Sequence, residues 1–275
     1  MEDVTLIELK SVSGILGVGA VCDVSFRLPN GKTYGVFSPR YADAVCLCSL
    51  MSGALTPTGG SVLAGGFDLH REAKQARRGI GFLPAELLPD DELTPLEYLM
   101  AIAELREPNY DKALRHVHEL LELGDLSDKK DSLIANLTFG DGRILCILQA
   151  LLGKPEILIL TSPLSGLIPK EVQKVRELIR YLSDTYTIFL CTPSAHDLRE
   201  MCDEIIVLQG GTLKSVLSSS DETLAAELSA VPNEASPSPS VDSPKTSRAN
   251  ALFKMLTQKS DDYEVLNADE KEGED

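Results

Sequence analysis

The chain has 275 residues, 43% of them hydrophobic and 25% charged, with a formal charge of −16. That acidity excludes a nucleic-acid binder that works by neutralising phosphates with Lys and Arg. The absence of Trp and an aromatic share of 5% also argue against a base-stacking platform.

Strand-like and helix-like patterns alternate through most of the length. Residues 4–9, 21–26 and 33–37 read as strands, and Asn30-Gly31 between the last two is a hairpin turn signal. Residues 42–51 read as a helix stopped at Gly53. Residues 60–63 followed by Gly65-Gly66 suggest a second small strand pair. Thr94-Pro95-Leu96-Glu97 combines an N-cap Thr, Pro at the first helical position and Glu at the third, the pattern of a capping box. Residues 111–123 place Leu114, Val117, Leu120 and Leu121 on one helix face, with Gly124 as the stop, and residues 141–152 read as a further helix.

The run 157–160 is short and wholly apolar, as in a buried parallel strand. A helix over 169–182 follows, then a buried strand over 187–191, a helix over 194–201 and strands over 204–208 and 213–216. This alternation predicts a parallel sheet covered on both faces. Six cysteines (Cys22, Cys46, Cys48, Cys146, Cys191 and Cys202) lie in or beside apolar runs without a C-x-x-C pair, so buried, reduced thiols and no metal are expected.

Composition changes after about Leu228. A Pro/Ser run covers 236–244, residues 249–256 have the pattern of one short amphipathic helix, and the stretch from Ser260 to Asp275 holds eight acidic residues and one basic one. A disordered tail over 219–275 is expected, with a docking peptide that folds on a protein partner as the alternative. The start, Met1-Glu2-Asp3, lacks a following apolar stretch, and the longest apolar run, 144–152, is broken by Gln149. No signal peptide or membrane span is expected, and the predicted location is cytosolic.

The stretches DVSFRLPNGKTYGVFSP, IGFLP, LTPLEYL, ALLGKPEILIL, SGLIP and CDEIIVLQGGTL occur in one order over roughly 4–218. In content and spacing this segment resembles an ATP-binding cassette (ABC) ATPase subunit. The resemblance implies an α/β fold: a P-loop NTPase-like parallel-sheet core, a small antiparallel β subdomain and a helical subdomain of about 86–145. It also marks where chemistry would be expected. A phosphate loop G-x-x-x-x-G-K-[ST] turns backbone N–H groups onto phosphates and reaches the terminal ones with Lys. The matching stretch is Ser38, Pro39, Arg40, Tyr41, Ala42, Asp43, Ala44 and Val45, with Ala44 at the Lys position, Val45 at the magnesium-binding hydroxyl and Asp43 at a Gly.

After the strand at 157–160, the family's Asp and Glu correspond to Thr161 and Ser162, whose hydroxyls are not general bases near neutral pH. The switch His corresponds to Pro193 and the metal-shell Gln to Ala85, while the adenine-stacking aromatic falls near Ile15 or Leu16. The L-S-G-G-Q signature reads Leu137, Thr138, Phe139, Gly140 and Asp141. The Gly-rich stretch 14–19 precedes a strand and lacks a following Lys, so it is set aside as a phosphate loop. By resemblance the chain is expected to be a degenerate, non-catalytic cassette: a cytoplasmic structural or regulatory subunit, peripheral on the membrane, beside an ABC permease and an intact ATPase subunit. No cofactor is expected. A soluble pseudo-ATPase acting as an interaction module, and a weak ATP-binding sensor with Arg40 in place of Lys, stay open as alternatives.

Overall fold

The computed structural model describes residues 5–221, and the predicted features of the tail beyond them lie outside the described residues. Two sheets organise this part. Strands β1 (Thr5–Leu16), β2 (Gly19–Pro29), β4 (Gly59–Ala64) and β5 (Phe67–Asp68) form an antiparallel sheet in the order β2-β1-β4-β5. Strands β3 (Thr33–Phe37), β6 (Ile80–Leu83), β7 (Ile157–Thr161), β8 (Thr187–Cys191), β9 (Glu204–Gln209) and β10 (Thr212–Ser218) form the second, in the order β10-β9-β3-β8-β7-β6. Its pairs are parallel except β9 with β10, which are antiparallel, so the predicted parallel sheet carries one antiparallel edge strand.

Period-two alternation sends the central strands into two apolar clusters. Leu158, Leu160, Ile188, Leu190, Ile205 and Val207 face one, with α5 (Phe139–Leu151) and α6 (Pro169–Ser183). Ile157, Ile159, Phe189, Cys191, Ile206 and Leu208 face the other, with α1 (Tyr41–Met51) and the antiparallel sheet. Helix α1 is therefore enclosed on both sides, which is why its sequence is apolar all round rather than striped. Helices α3 (Pro95–Arg106), α4 (Tyr110–Leu123) and α5 follow β6, after the short α2 (Ala73–Ala76), and α7 (Ala195–Met201) follows β8.

Local signals formed where their partners were also local. Thr94 Oγ1 accepts the Glu97 amide and Glu97 accepts the Thr94 amide, completing the capping box of α3. Gly124 ends α4 and Gly53, at φ +73, follows the cap of α1. Asn30-Gly31 is a correction. It joins two sheets rather than two paired strands, because β2 pairs with β1 while β3 is flanked in parallel by β8 and β9. The true hairpin is the Gly-rich stretch set aside earlier: β1 and β2 pair as far as Leu16 and Gly19, and Gly17 takes φ +58 in the turn. Cysteine burial needs one correction too, since five thiols are buried but Cys22 is exposed on β2, a strand of the antiparallel sheet.

Candidate functional site

Parallel strands bring their carboxyl ends to one edge, where open α/β sheets bind ligands. Here that edge collects Ser38 after β3, Pro84 and Ala85 after β6, Thr161 and Ser162 at the end of β7, and Thr192 and Pro193 after β8. The predicted phosphate loop lies between β3 and α1, with Arg40 as the N-cap residue of α1. A helix start of this kind presents unpaired N–H groups and a positive dipole end to an anion.

The negative charge at this start comes from the chain itself. Asp43, 1% exposed, sits in the first turn of α1, where its carboxylate meets the dipole favourably. Its Oδ1 accepts the Ala20 amide at 2.9 Å and its Oδ2 accepts the Ser38 hydroxyl at 3.4 Å. Arg40 Nη1 is 3.9 Å away, on a side chain that stays 57% exposed, so the cation offered as a Lys substitute is partly engaged by Asp43. Ala44 is fully buried and Val45 half-buried, and neither brings a charge or a hydroxyl.

Tyr41 closes the other side of the loop. Its hydroxyl hydrogen-bonds the Ser162 hydroxyl and donates to the Cys191 carbonyl at 3.3 Å, tying α1 to the ends of β7 and β8. Burial pushes the Tyr41 phenol far above its usual value, so it stays protonated. Ser162 is buried at φ +51, a left-handed conformation that is strained for a residue with a Cβ. Thr161 Oγ1 is buried beside the Cys48 thiol without a partner in hydrogen-bonding geometry. Ala85 and Pro193 are half-buried and offer no side-chain donor or acceptor. Ile15 and Leu16, at 65% and 39% exposure, lie at the tip of the β1–β2 hairpin.

The signature segment starts α5 separately. Thr138 Oγ1 caps the Asp141 amide at 3.1 Å, and the Gly140 amide donates to Glu171 Oε1 at 3.0 Å. Lys129 Nζ holds Asp141 Oδ2 at 2.6 Å. Leu137 is half-buried just before the helix, while Phe139 is 46% exposed and packs its ring against Gly166. A depression of about 340 Å³ lies here, lined by Thr138, Gly140, Asp141, Glu171, Lys129 and Lys174 among others.

Sequence reading missed three participants. Gly19 packs so tightly on the loop that a Cβ there would lie 2.1 Å from the Ala42 carbonyl oxygen, so the Gly-rich hairpin does serve the phosphate-loop region, from outside it. Glu171 was invisible because its partner Gly140 lies 31 residues away. Arg143 is buried beneath the Phe139 ring, 5.6 Å from its centroid, with Nη1 unpaired, and burial pulls its pKa down. Only the positions of its near neighbours in α5 were flagged from sequence.

An edge of parallel strand ends, with a loop leading into a buried helix and an antiparallel sheet packed on that helix, fits an ABC-type nucleotide-binding-cassette fold. The chain belongs to the ABC transporter family, whose model matches residues 21–165. Among curated proteins it is 29% identical over 209 residues to Nod factor export ATP-binding protein I of Rhizobium etli, covering 75% of this chain and 66% of that one. It is 26% identical over 199 residues to linearmycin resistance ATP-binding protein LnrL of Bacillus subtilis, covering 72% and 64%. It is 30% identical over 206 residues to methionine import ATP-binding protein MetN of Photorhabdus laumondii, covering 73% and 60%. The match thus spans about two thirds or less of the relatives' own length. Among solved structures, an ATP-binding subunit of an ABC transporter superposes with a TM-score of 0.67 at 22% identity, covering 92% of this chain and all of that one. CbiO1 of Clostridium perfringens, part of the transporter complex cbiONQ, gives 0.68 at 18%, covering 82% and 92%. At those identities the structures establish the fold alone. No helix among the described residues is long and apolar enough to cross a membrane.

Proposed function

We propose that this chain is a non-catalytic ABC cassette, with residues 1–218 as the degenerate ATPase-like domain and residues 219–275 as a tail. It acts as a structural or regulatory subunit on the cytoplasmic face of a membrane, beside a permease and an intact ATPase subunit. The observation that carries this reading is the Asp43 carboxylate, buried at the start of α1 and bonded to the Ala20 amide, where the family resemblance expects a phosphate. A polyphosphate entering there meets a like charge with no Lys at Ala44 and no metal-binding oxygen at Val45 to offset it.

The residues at the strand ends do not fit magnesium-ATP either. Thr161 and Ser162 bring no carboxylate, and the Ser162 hydroxyl is engaged by Tyr41. At the signature, Phe139 and the Glu171 carboxylate on the Gly140 amide oppose a second phosphate approach. The relatives are ATP-binding proteins of import and export, which supports a place beside a membrane permease.

Two measurements on the full-length chain test the reading. Titration calorimetry with magnesium-ATP should give no saturable heat up to about 1 mM, the upper end of ordinary KM values, with no phosphate release. Saturable binding accompanied by phosphate release would overturn the non-catalytic assignment. A tagged pull-down from mildly solubilised membranes should recover a multi-span permease with a second cassette. Recovery from the soluble fraction alone would remove the transporter role.

A further inference from the structure

At the opposite end of α5 from the signature, about 20 Å away at 1.5 Å per helical residue, lies a depression of about 400 Å³. It is formed where the last turn of α3, the first turns of α4 and the turn after α5 converge, and it shares no lining residue with the phosphate loop or the signature. Ala103, Ala113 and Leu152 give it an apolar floor. Arg106, Lys112, Arg115 and Lys154 bring four cations to its walls.

Among the described residues none of these four side chains makes an ion pair. Of the two carboxylates of the same lining, Glu107 is engaged and the exposed Glu119 faces His116 without a hydrogen bond. Glu107 Oε1 accepts the Asn109 amide at 3.1 Å, and Glu119 Oε2 faces His116 Nδ1 at 3.5 Å. Both ring nitrogens of His116 are buried without a hydrogen-bond partner, a condition that costs free energy unless something completes it. Gly153 leaves the space that Arg106 uses, since a Cβ there would lie 2.9 Å from Arg106 Cδ. The turn holds two successive left-handed residues, Gly153 at φ +85 and Lys154 at φ +53.

We infer that this depression binds a compact phosphate-type polyanion through Arg106, Lys112, Arg115, His116 and Lys154. Guanidinium forks match phosphate oxygens in pairs, and an apolar floor strengthens each charge-assisted bond by lowering the local dielectric. The start of α4 adds the positive end of a 14-residue helix. The volume sits at the small end of ligand pockets, which suits a phosphorylated metabolite or a phosphorylated lipid headgroup better than an extended chain.

Inorganic pyrophosphate titrated into the full-length protein, followed by calorimetry, tests the site. Saturable binding is expected, weakened about tenfold or more by Arg106→Gln and by Arg115→Gln, as loss of one charge-assisted bond implies. Lys74→Gln, on α2, should leave it unchanged. Lack of saturation, or equal loss in all three variants, overturns the site. Arg115 lies on a different helix from Arg106, so its variant carries the test should Arg106→Gln fail to fold. Co-sedimentation with phosphoinositide vesicles, lost in Arg115→Gln, would identify a headgroup as the source. Pyrophosphate binding without co-sedimentation would identify a soluble ligand.

Discussion

Replacing Asp43 with Ala removes the one carboxylate at the start of α1 and leaves the Ala20 amide without its 2.9 Å acceptor. The Ser38 hydroxyl loses an acceptor as well, at the longer distance of 3.4 Å. A hydrogen bond to a charged group contributes about 1.5–3 kcal/mol. For domains of 150–250 residues each kcal/mol moves the melting temperature by about 2–4 °C, so Asp43→Ala should lower it by about 3–12 °C. Asp43→Asn keeps an oxygen for the Ala20 amide and loses chiefly the favourable charge at the helix start, about 0.3–1 kcal/mol. Thermal unfolding of the full-length protein, followed by circular dichroism, should therefore rank wild type above Asn and Asn above Ala. An Ala variant as stable as wild type would refute the idea that this carboxylate substitutes internally for a bound anion. An Ala variant more stable than wild type would show instead that Asp43 is a strained remnant.

Tyr41→Phe removes the bonds to Ser162 and to the Cys191 carbonyl, and should cost about 1–2 kcal/mol in urea unfolding, at the usual net contribution per bond. An unchanged midpoint would mean that Tyr41 does not tie α1 to β7 and β8. Burial pushes the Cys46 thiol up to about 11 and the Cys146 thiol up to about 12. The unfolded chain ionises these thiols near their ordinary value, so their stabilising contribution is complete below about pH 8.5 and is lost as pH rises toward 11–12. Unfolding free energy measured between pH 8 and 11 should fall, and Cys46→Ala should flatten that fall; an identical slope in the variant would refute the assignment.

Elements with local causes were legible in the sequence. Thr94 and Glu97 complete a capping box across three residues, and the apolar run 157–160 needs no partner to announce a buried strand. Asn30-Gly31 misled because the same dipeptide serves any tight turn, while strand pairing is decided by residues far away. β3 is held by β8 and β9, more than 150 residues further along the chain. The site divides in the same way. Which residues lie between β3 and α1 could be read directly, but what they touch could not. Asp43 meets Ala20 across 23 residues, and Tyr41 meets Ser162 across 121. Cys22 misled for another reason: it lies beside apolar residues in sequence, but on a β-strand neighbouring side chains alternate between faces, and its own is exposed.

At the starts of α1 and α5, as at other helix starts of the fold, this chain places its own carboxylate near the unpaired backbone amides. Asp43 serves α1, and Glu171 accepts the Gly140 amide in the first turn of α5. Both carboxylates also bind a second element. Asp43 joins the antiparallel sheet to the loop through Ala20, and Glu171 accepts the Ile168 amide that starts α6. Each is thus a structural tie as well as a charge, and restoring a Lys at Ala44 would leave both ties in place. Returning an anion site to the loop would require removal of Asp43, whose carboxylate lies in the first turn of α1. The stability that the cassette draws from these ties, about 1.5–3 kcal/mol for each hydrogen bond to a charged group, is what a phosphate would have to displace.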